Sequence, residues 1–304
     1  MKQVYVPTPG RGGEFLIVER PAPVAAPDEV VLDVESAGLA FADVLMCAGA
    51  YPGTPRDGFT PGYDVVGRIA AVGSGVASAW RTGDRAAALI VRGGLAEQVA
   101  VPAQRLVRIP ADLDAVPAAC LPLNYVAAWQ MLHRVAEVRA GAVLLVFGAG
   151  GGVGTALCEL AALRGCQVVA VARVEKHAQL TALGATVVQS RCADVQAAVR
   201  AATGGRGVEA CFDAVGGAQL AQGWAALASG GHLVSYGFAG SMFGQGSPAG
   251  VYLGTQLRMA GWRLVARGRR ISFYSIEDRT TRLPAEYVAD LTELVGLVKT
   301  HTIA

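Results

Sequence analysis

No charged residue stands between Arg139 and Glu159, and inside that stretch Val143-Leu144-Leu145-Val146-Phe147 runs straight into Gly148-Ala149-Gly150-Gly151-Gly152-Val153-Gly154 and then Thr155-Ala156-Leu157-Cys158. Five apolar residues before a glycine cluster read as a buried strand of a parallel sheet, and the small residues after the turn start a helix. Such a strand–turn–helix gathers the unpaired amides of the helix N-terminus at one point. Glycines let a pyrophosphate reach that point with no side chain in the way. The pattern is Ala149-x-Gly151-x-x-Gly154, with alanine where the first glycine of the usual fingerprint stands. Gln167-Val168-Val169-Ala170-Val171-Ala172 follows where a right-handed βαβ unit needs its second strand. Six glycines make the uncharged stretch a poor membrane-spanning helix. It reads as a dinucleotide-binding site.

The rest of the chain supports a globular protein of two domains: 304 residues, 53% of them hydrophobic and 16% charged, leave ample core. A formal charge of +2 gives no electrostatic footprint for nucleic acid. The one basic cluster, Arg263 to Arg270, is interleaved with apolar residues as a half-exposed strand would be and reads as a solvated face. Met1 to Pro7 carries no apolar core of a signal peptide, so a cytoplasmic location and no membrane association are expected. The six cysteines (47, 120, 158, 166, 192, 211) show no C-x-x-C spacing and the four histidines no close pair. The cysteines are therefore read as buried, reduced thiols rather than metal ligands or disulfides.

Up to about Pro110 the pattern is of short strands between Gly and Pro turns, among them Glu29–Ser36 and Asp64–Gly73, with one helix from Phe41 to Ala48 followed by Tyr51-Pro52-Gly53. That spacing suits a small β-barrel. Helical periodicity takes over between Asp112 and Arg139, with a long helix over Asn124–Val138. Strands at Val143–Phe147, Gln167–Ala172, Thr186–Gln189, Val208–Asp213, His232–Gly237 and Arg270–Tyr274 then alternate with helices such as Lys176–Leu183 and Ala218–Ala228. This rhythm predicts a doubly wound parallel sheet. A last amphipathic helix covers Leu283–Lys299.

Several segments in this order carry a family likeness: Ala37-Gly38-Leu39-Ala40-Phe41-Ala42-Asp43-Val44, Pro61-Gly62-Tyr63-Asp64-Val65-Val66-Gly67, Gly94-Leu95-Ala96-Glu97-Gln98-Val99, Leu121-Pro122-Leu123-Asn124-Tyr125, Gly151-Gly152-Val153-Gly154, Leu183-Gly184-Ala185 and Asp213-Ala214-Val215-Gly216. From about Glu29 to about Lys299 the chain resembles the zinc-independent branch of the medium-chain dehydrogenase/reductase superfamily, the quinone oxidoreductase or zeta-crystallin-like enzymes. The resemblance implies an α/β protein of two domains with the active site in the cleft. Residues 1–115 would form a GroES-like β-barrel catalytic domain, to which 279–304 returns, and residues 116–278 a Rossmann doubly wound parallel sheet. Relatives continue with a further strand and αβ segment after the helix matching Leu283–Lys299, so the chain is expected to be a shortened form. Zinc-dependent relatives carry a cysteine and a Gly-His-Glu where this chain has Ala40-Phe41 and Gly62-Tyr63-Asp64, and their four-cysteine lobe has no counterpart between Ala88 and Gly93. Without a Lewis acid, hydride transfer favours an electrophile that is already electron-poor, a quinone or an α,β-unsaturated carbonyl.

The resemblance also implies site residues. Reductases commonly place an asparagine at the position of Ala40, and alanine offers no amide there. Tyr51 matches a tyrosine that lines the substrate cleft; it either donates a hydrogen bond to a substrate oxygen or packs over its Pro-Gly turn. Asp43 orients a water or ribose, or caps its own helix. Asn124 meets the nicotinamide end, or serves helix packing. For the cofactor, Gly151, Gly152, Val153 and Gly154 form the phosphate turn, and Val215, Gly216, Tyr236, Gly237 and Phe238 end later strands on the cofactor side, where their backbone meets ribose and carboxamide or serves strand-end packing. At the end of the second strand, where an acid would hold the 2′-hydroxyl of NAD, Ala172-Arg173-Val174-Glu175-Lys176 presents two cations. Arg173 and Lys176 thus point to NADPH, the alternative being a charged helix start offset by Glu175. The expected activity is NADPH-dependent reduction of a small electrophile, a quinone or enone. Enoyl-thioester reduction is a variant, and an NADPH-binding protein with little catalysis the alternative that Ala40 favours. An edge position for Arg270–Tyr274 would support a homodimer.

Overall fold

The computed structural model describes residues 1–10, 14–51, 53–76, 79–190, 194–240, 248–266, 268–300 and 302–303. Pro52, Cys192, Arg267, His301 and Ala304, which figure in the readings above, lie outside them.

Strands before residue 110 pair antiparallel, and those after residue 140 pair parallel. The chain begins with the hairpin pair β1 (Lys2–Tyr5) and β2 (Leu16–Glu19). It continues through β3 (Glu29–Gly38), α1 (Phe41–Cys47), β4 (Asp64–Val72), β5 (Arg85–Leu89), β6 (Gln98–Pro102) and β7 (Val107–Arg108). The barrel expected from the strand spacing takes the form of a five-stranded antiparallel sheet in the order β6-β3-β4-β5-β7. Its core is Val30, Leu32, Val65, Ile69, Ala86, Ala88, Val101 and Leu106. All five residues of β5, Arg-Ala-Ala-Ala-Leu, are buried.

After α2 (Ala115–Ala118), the expected long helix forms as a π-turn over Leu121–Tyr125, α3 (Val126–Gln130) and a second π-turn over Met131–Val135. Then come β8 (Val143–Phe147), α4 (Gly152–Leu163), β9 (Gln167–Ala172), α5 (His177–Ala182), β10 (Val187–Ser190), α6 (Val195–Thr203), β11 (Val208–Asp213), α7 (Ala218–Ala226), β12 (Leu227–Ser235), α8 (Pro248–Leu264) and β13 (Arg270–Phe273). The six strands form one parallel sheet, order β10-β9-β8-β11-β12-β13. Strand direction of winding reverses between β8 and β11, and doubly wound sheets bind ligands outside the carboxyl ends of the strands at such a point. β13 lies at the sheet edge. The chain ends with α9 (Ile276–Arg282) and α10 (Pro284–Lys299).

Two compact units result, Met1–Val126 with Ile276–Ala304, and Ala127–Ser275. Among the described residues the Arg263–Arg270 cluster is divided between two elements, and both Arg263 and Arg270 are exposed. Arg263 closes α8, whose buried side follows the helical spacing Thr255, Met259 and half-buried Trp262, and only Arg270 enters β13. Trp262 stacks on Trp224 with ring centroids 5.1 Å apart, which fixes the helical phase. No helix among the described residues is long and apolar enough to cross a membrane.

Candidate functional site

The second unit builds the dinucleotide end from backbone. Gly148 leaves β8 with φ +72, a conformation that side chains resist, and its carbonyl accepts the Gly151 amide at 3.0 Å. A methyl on Gly154 would overlap Gly148 O and lie 2.6 Å from Ala149 Cα, so α4 packs against the turn only because residue 154 is glycine. α4 has no side-chain cap. The amides of Gly152, Val153 and Gly154 are its first three, which have no acceptor within a helix.

Beside this turn stand the cations read from the sequence. A methyl on Gly150 would meet Lys176 Cγ at 3.0 Å and Cβ at 3.3 Å, so the lysine stem lies along the glycines, and its Nζ donates to Gln179 Oε1 at 3.1 Å. The Arg173 side chain is exposed and has no ion-pair or hydrogen-bond partner among the described residues. Glu175 makes no ion pair with either cation among the described residues.

Across the winding reversal, β11 ends in Asp213, fully buried. Its carboxylate accepts the amides of Val215 (2.9 Å) and Gly216 (3.0 and 3.1 Å), while the Val215 carbonyl takes the Gly240 amide. Burial pushes the Asp213 carboxyl up to about 6 against the pull of those bonds. Val215 thus has both backbone groups engaged. The Tyr236 amide donates to Asp213 O, and its hydroxyl is buried with no partner among the described residues, burial and then the Asp213 charge holding its proton on. A methyl on Gly237 would crowd Ala214 O at 2.8 Å. Phe238 stacks on Phe273 (5.6 Å) and meets Tyr252 edge-on (5.3 Å).

The first unit gathers hydroxyls and carboxylates. Asp43 is fully buried, and its two oxygens accept the Ala40 amide (2.7 Å) and the Gly62 amide (2.9 Å). It therefore ties the start of α1 to the Pro61-Gly62 turn, and burial raises its carboxyl above the usual range. Tyr51 follows the turn that closes α1 and is fixed by Thr54, whose amide and hydroxyl donate to Tyr51 O. The Tyr63 hydroxyl, in a side chain only 2% exposed, hydrogen-bonds to Tyr51. That bond raises Tyr63 and lowers Tyr51. Burial, with a smaller contribution from the Glu277 charge, still holds Tyr51 above the ordinary phenol range.

Asp64 joins this group from the start of β4. A methyl on Gly38 would overlap Asp64 Oδ1, so the carboxylate occupies the space that this glycine leaves. Burial and then the neighbouring Asp43 charge push Asp64 up to about 7, opposed by the Leu123 and Gly38 amides. The Leu123 contact connects Asp64 to the π-turn, where both the Asn124 and Tyr125 amides donate to Cys120 O. Asn124 is half-buried with no side-chain partner among the described residues, and π-turns recur at functional sites. Tyr63, Asp64 and the role of Gly38 escaped the sequence reading. An acid directly after a Pro-Gly-aromatic turn at a strand start was the available signal. Among the described residues no three His, Cys, Asp or Glu side chains gather as metal ligands.

Comparison with known proteins agrees with this layout. Residues 26–111 match the alcohol dehydrogenase GroES-like domain and residues 152–273 the zinc-binding dehydrogenase family. The chain is 33% identical over 228 residues to a quinone oxidoreductase-like protein 2 homolog of Nematostella vectensis, covering 74% of this chain and 62% of that protein. It is 32% identical over 241 residues to the synaptic vesicle membrane protein VAT-1 homolog of Rattus norvegicus, covering 77% and 59%. The chain thus spans about three fifths of the length of these relatives. A mycobacterial protein solved in complex with NADPH superposes with a TM-score of 0.86 at 28% identity, over 100% of this chain and 90% of that one.

Proposed function

Because the chain belongs to the medium-chain dehydrogenase/reductase superfamily, whose members use NAD(P)H, we propose that it is a cytoplasmic, homodimeric NADPH-dependent reductase of quinones or α,β-unsaturated carbonyls. The observation that carries the reading is the placement of Lys176 along the Gly150 turn beside an unpaired Arg173, with apolar Ala172 where an acid would favour NAD. A 2′-phosphate brings close to two negative charges, which a guanidinium fork and a mobile ammonium suit. Bound there, NADPH supplies a hydride from nicotinamide C4.

The chain's own part is the proton. Reduction of a quinone or an enone by hydride leaves an oxyanion, and Tyr51 donates its proton to that oxygen. The resulting phenolate keeps the Tyr63 hydrogen bond, which strengthens as charge develops, and regains a proton from solvent. Asn124 offers an amide to the carboxamide or the substrate. Zinc has no part in this reading, since Ala40, Phe41 and Tyr63 stand where a cysteine and histidine would be needed. A second subunit would pair along β13, the last strand of the sheet.

The test is oxidation of NADPH and of NADH by a panel of quinones and enones, with wild type and Tyr51→Phe. Turnover with NADPH that falls about 10²-fold in the variant is the expected result. Cofactor binding with no turnover across the panel would leave the chain as an NADPH-binding protein instead.

A further inference from the structure

Two cavities differ in how their charges are matched. The larger, about 270 Å³, lies in the second unit, where Arg139 pairs with Glu209 at 3.0 Å and Arg270 with Glu137 at 3.5 Å. The smaller, about 170 Å³, lies in the first unit between the loop Leu89–Arg92, Arg105, and Glu277, Thr280 and Thr281 of α9. Its cations make no ion pair among the described residues. Half-buried Arg105 has no hydrogen bond or ion pair among the described residues, and Arg92 makes one long bond, Nη1 to Gly53 O at 3.3 Å. Thr281 Oγ1 is committed to Glu277 O at 2.8 Å. Thr280, only 3% exposed, lines the same cavity with a buried Oγ1 that has no partner among the described residues.

We propose that this cavity binds a small carboxylate, held by Arg105 and Arg92 and receiving a hydrogen bond from the Thr280 hydroxyl. Two guanidinium groups and the Glu277 carboxylate leave one net positive charge, which a singly charged anion neutralises and a phosphate dianion overfills. A planar carboxylate also matches the guanidinium fork. The space equals that of roughly five or six waters at about 30 Å³ each, enough for a short-chain acid. Its wall is held under strain: β-branched Val91 sits at φ +71. The Ile90 and Val91 amides both donate to Tyr63 O at 2.9 Å, and the Gly93 amide donates to Thr60 O at 2.8 Å, which keeps that conformation in place. Strained residues of this kind persist where the surroundings over-determine them, and they concentrate at ligand clamps. Glu277 links the cavity to the tyrosine pair, because its charge is felt at both Tyr51 and Tyr63. The proposal stands independently of the reductase reading and is measured without cofactor or turnover.

The experiment is a ¹⁹F NMR titration of the full chain with trifluoroacetate, using acetate and inorganic phosphate as competitors. Saturable binding is expected, weakened at least about tenfold by Arg105→Gln and about threefold by Thr280→Val, unchanged by Arg173→Ala, and displaced by acetate more readily than by phosphate. Thr280→Val keeps the side-chain shape and removes a hydroxyl with no protein partner, so its melting temperature should not fall. No saturation, equal affinity in wild type and Arg105→Gln, loss in Arg173→Ala instead, or preference for phosphate would each overturn the assignment.

Discussion

The glycine turn of the second unit and the tyrosine–carboxylate group of the first both hold polar groups ready for a ligand, by opposite means. Around Gly148–Gly154 the polar groups are main-chain amides, and the sequence contributes by withholding side chains. Around Tyr51 and Asp64 the polar groups are side chains, and the main chain contributes by tying them down: Ala40 and Gly62 to Asp43, Leu123 and Gly38 to Asp64. A backbone site is therefore vulnerable to added atoms and insensitive to pH, whereas a side-chain site responds to pH and is vulnerable to lost partners.

The largest expected effect tests the first half of that contrast. Gly154→Ala places a methyl against backbone that cannot yield, Gly148 O and Ala149 Cα, and should destabilise the chain by about 3 kcal/mol in urea unfolding, with loss of cofactor binding. Next comes the pH response of Asp64. Its folded-state carboxyl titrates at about 7 against an ordinary value of 3.8, so the folded chain binds the extra proton more tightly. That stabilisation is full below the unfolded value and is lost as pH rises towards 7. From pH 5 to pH 8 the wild type should lose up to about 2.7 kcal/mol relative to Asp64→Asn. Parallel stability curves for the two proteins would break the contrast.

Arg173→Ala should weaken NADPH about tenfold, or about 1.4 kcal/mol, and leave NADH unchanged, as isothermal titration of both cofactors would show. Equal losses for both would reduce Arg173 to a solvated charge. The smallest effect separates two glycines of one turn. Gly150→Ala meets the Lys176 stem and, at an ordinary 3.6 Å, Ala172 Cβ, so stability should change by less than about 0.5 kcal/mol while NADPH affinity shifts with the displaced lysine. A loss as large as that of Gly154→Ala would mean that the whole turn, not one residue of it, is intolerant.

Legibility from sequence follows the same division. Val143–Phe147, Gln167–Ala172 and Val208–Asp213 are strands with the bounds that their apolar runs suggest, because both faces are buried and turn residues stop them sharply. The spacing Gly151-x-x-Gly154 and the pair Arg173 and Lys176 were readable because they answer to one local turn. α8 was missed: its buried positions are few, and Leu253, Leu257 and Leu264 lie exposed on it, so the apolar pattern does not follow the core. Asp43 read as a site residue, yet both its oxygens are used by amides, one of them nineteen positions away. Partners so distant leave no periodic trace. The bond between Tyr63 and Tyr51 was hidden for the same reason.

The fit of Asp64 into the space left by Gly38 has a consequence for how this chain can change over time. Any side chain at residue 38, even a methyl, displaces a carboxylate that also anchors the turn carrying Asn124. The two positions therefore form one inheritable unit: among descendants of this sequence, departure from glycine at 38 should appear only where residue 64 has already become smaller. A designer grafting the Pro61–Asp64 turn onto another scaffold inherits the same obligation, and must carry over the vacancy together with the acid that fills it.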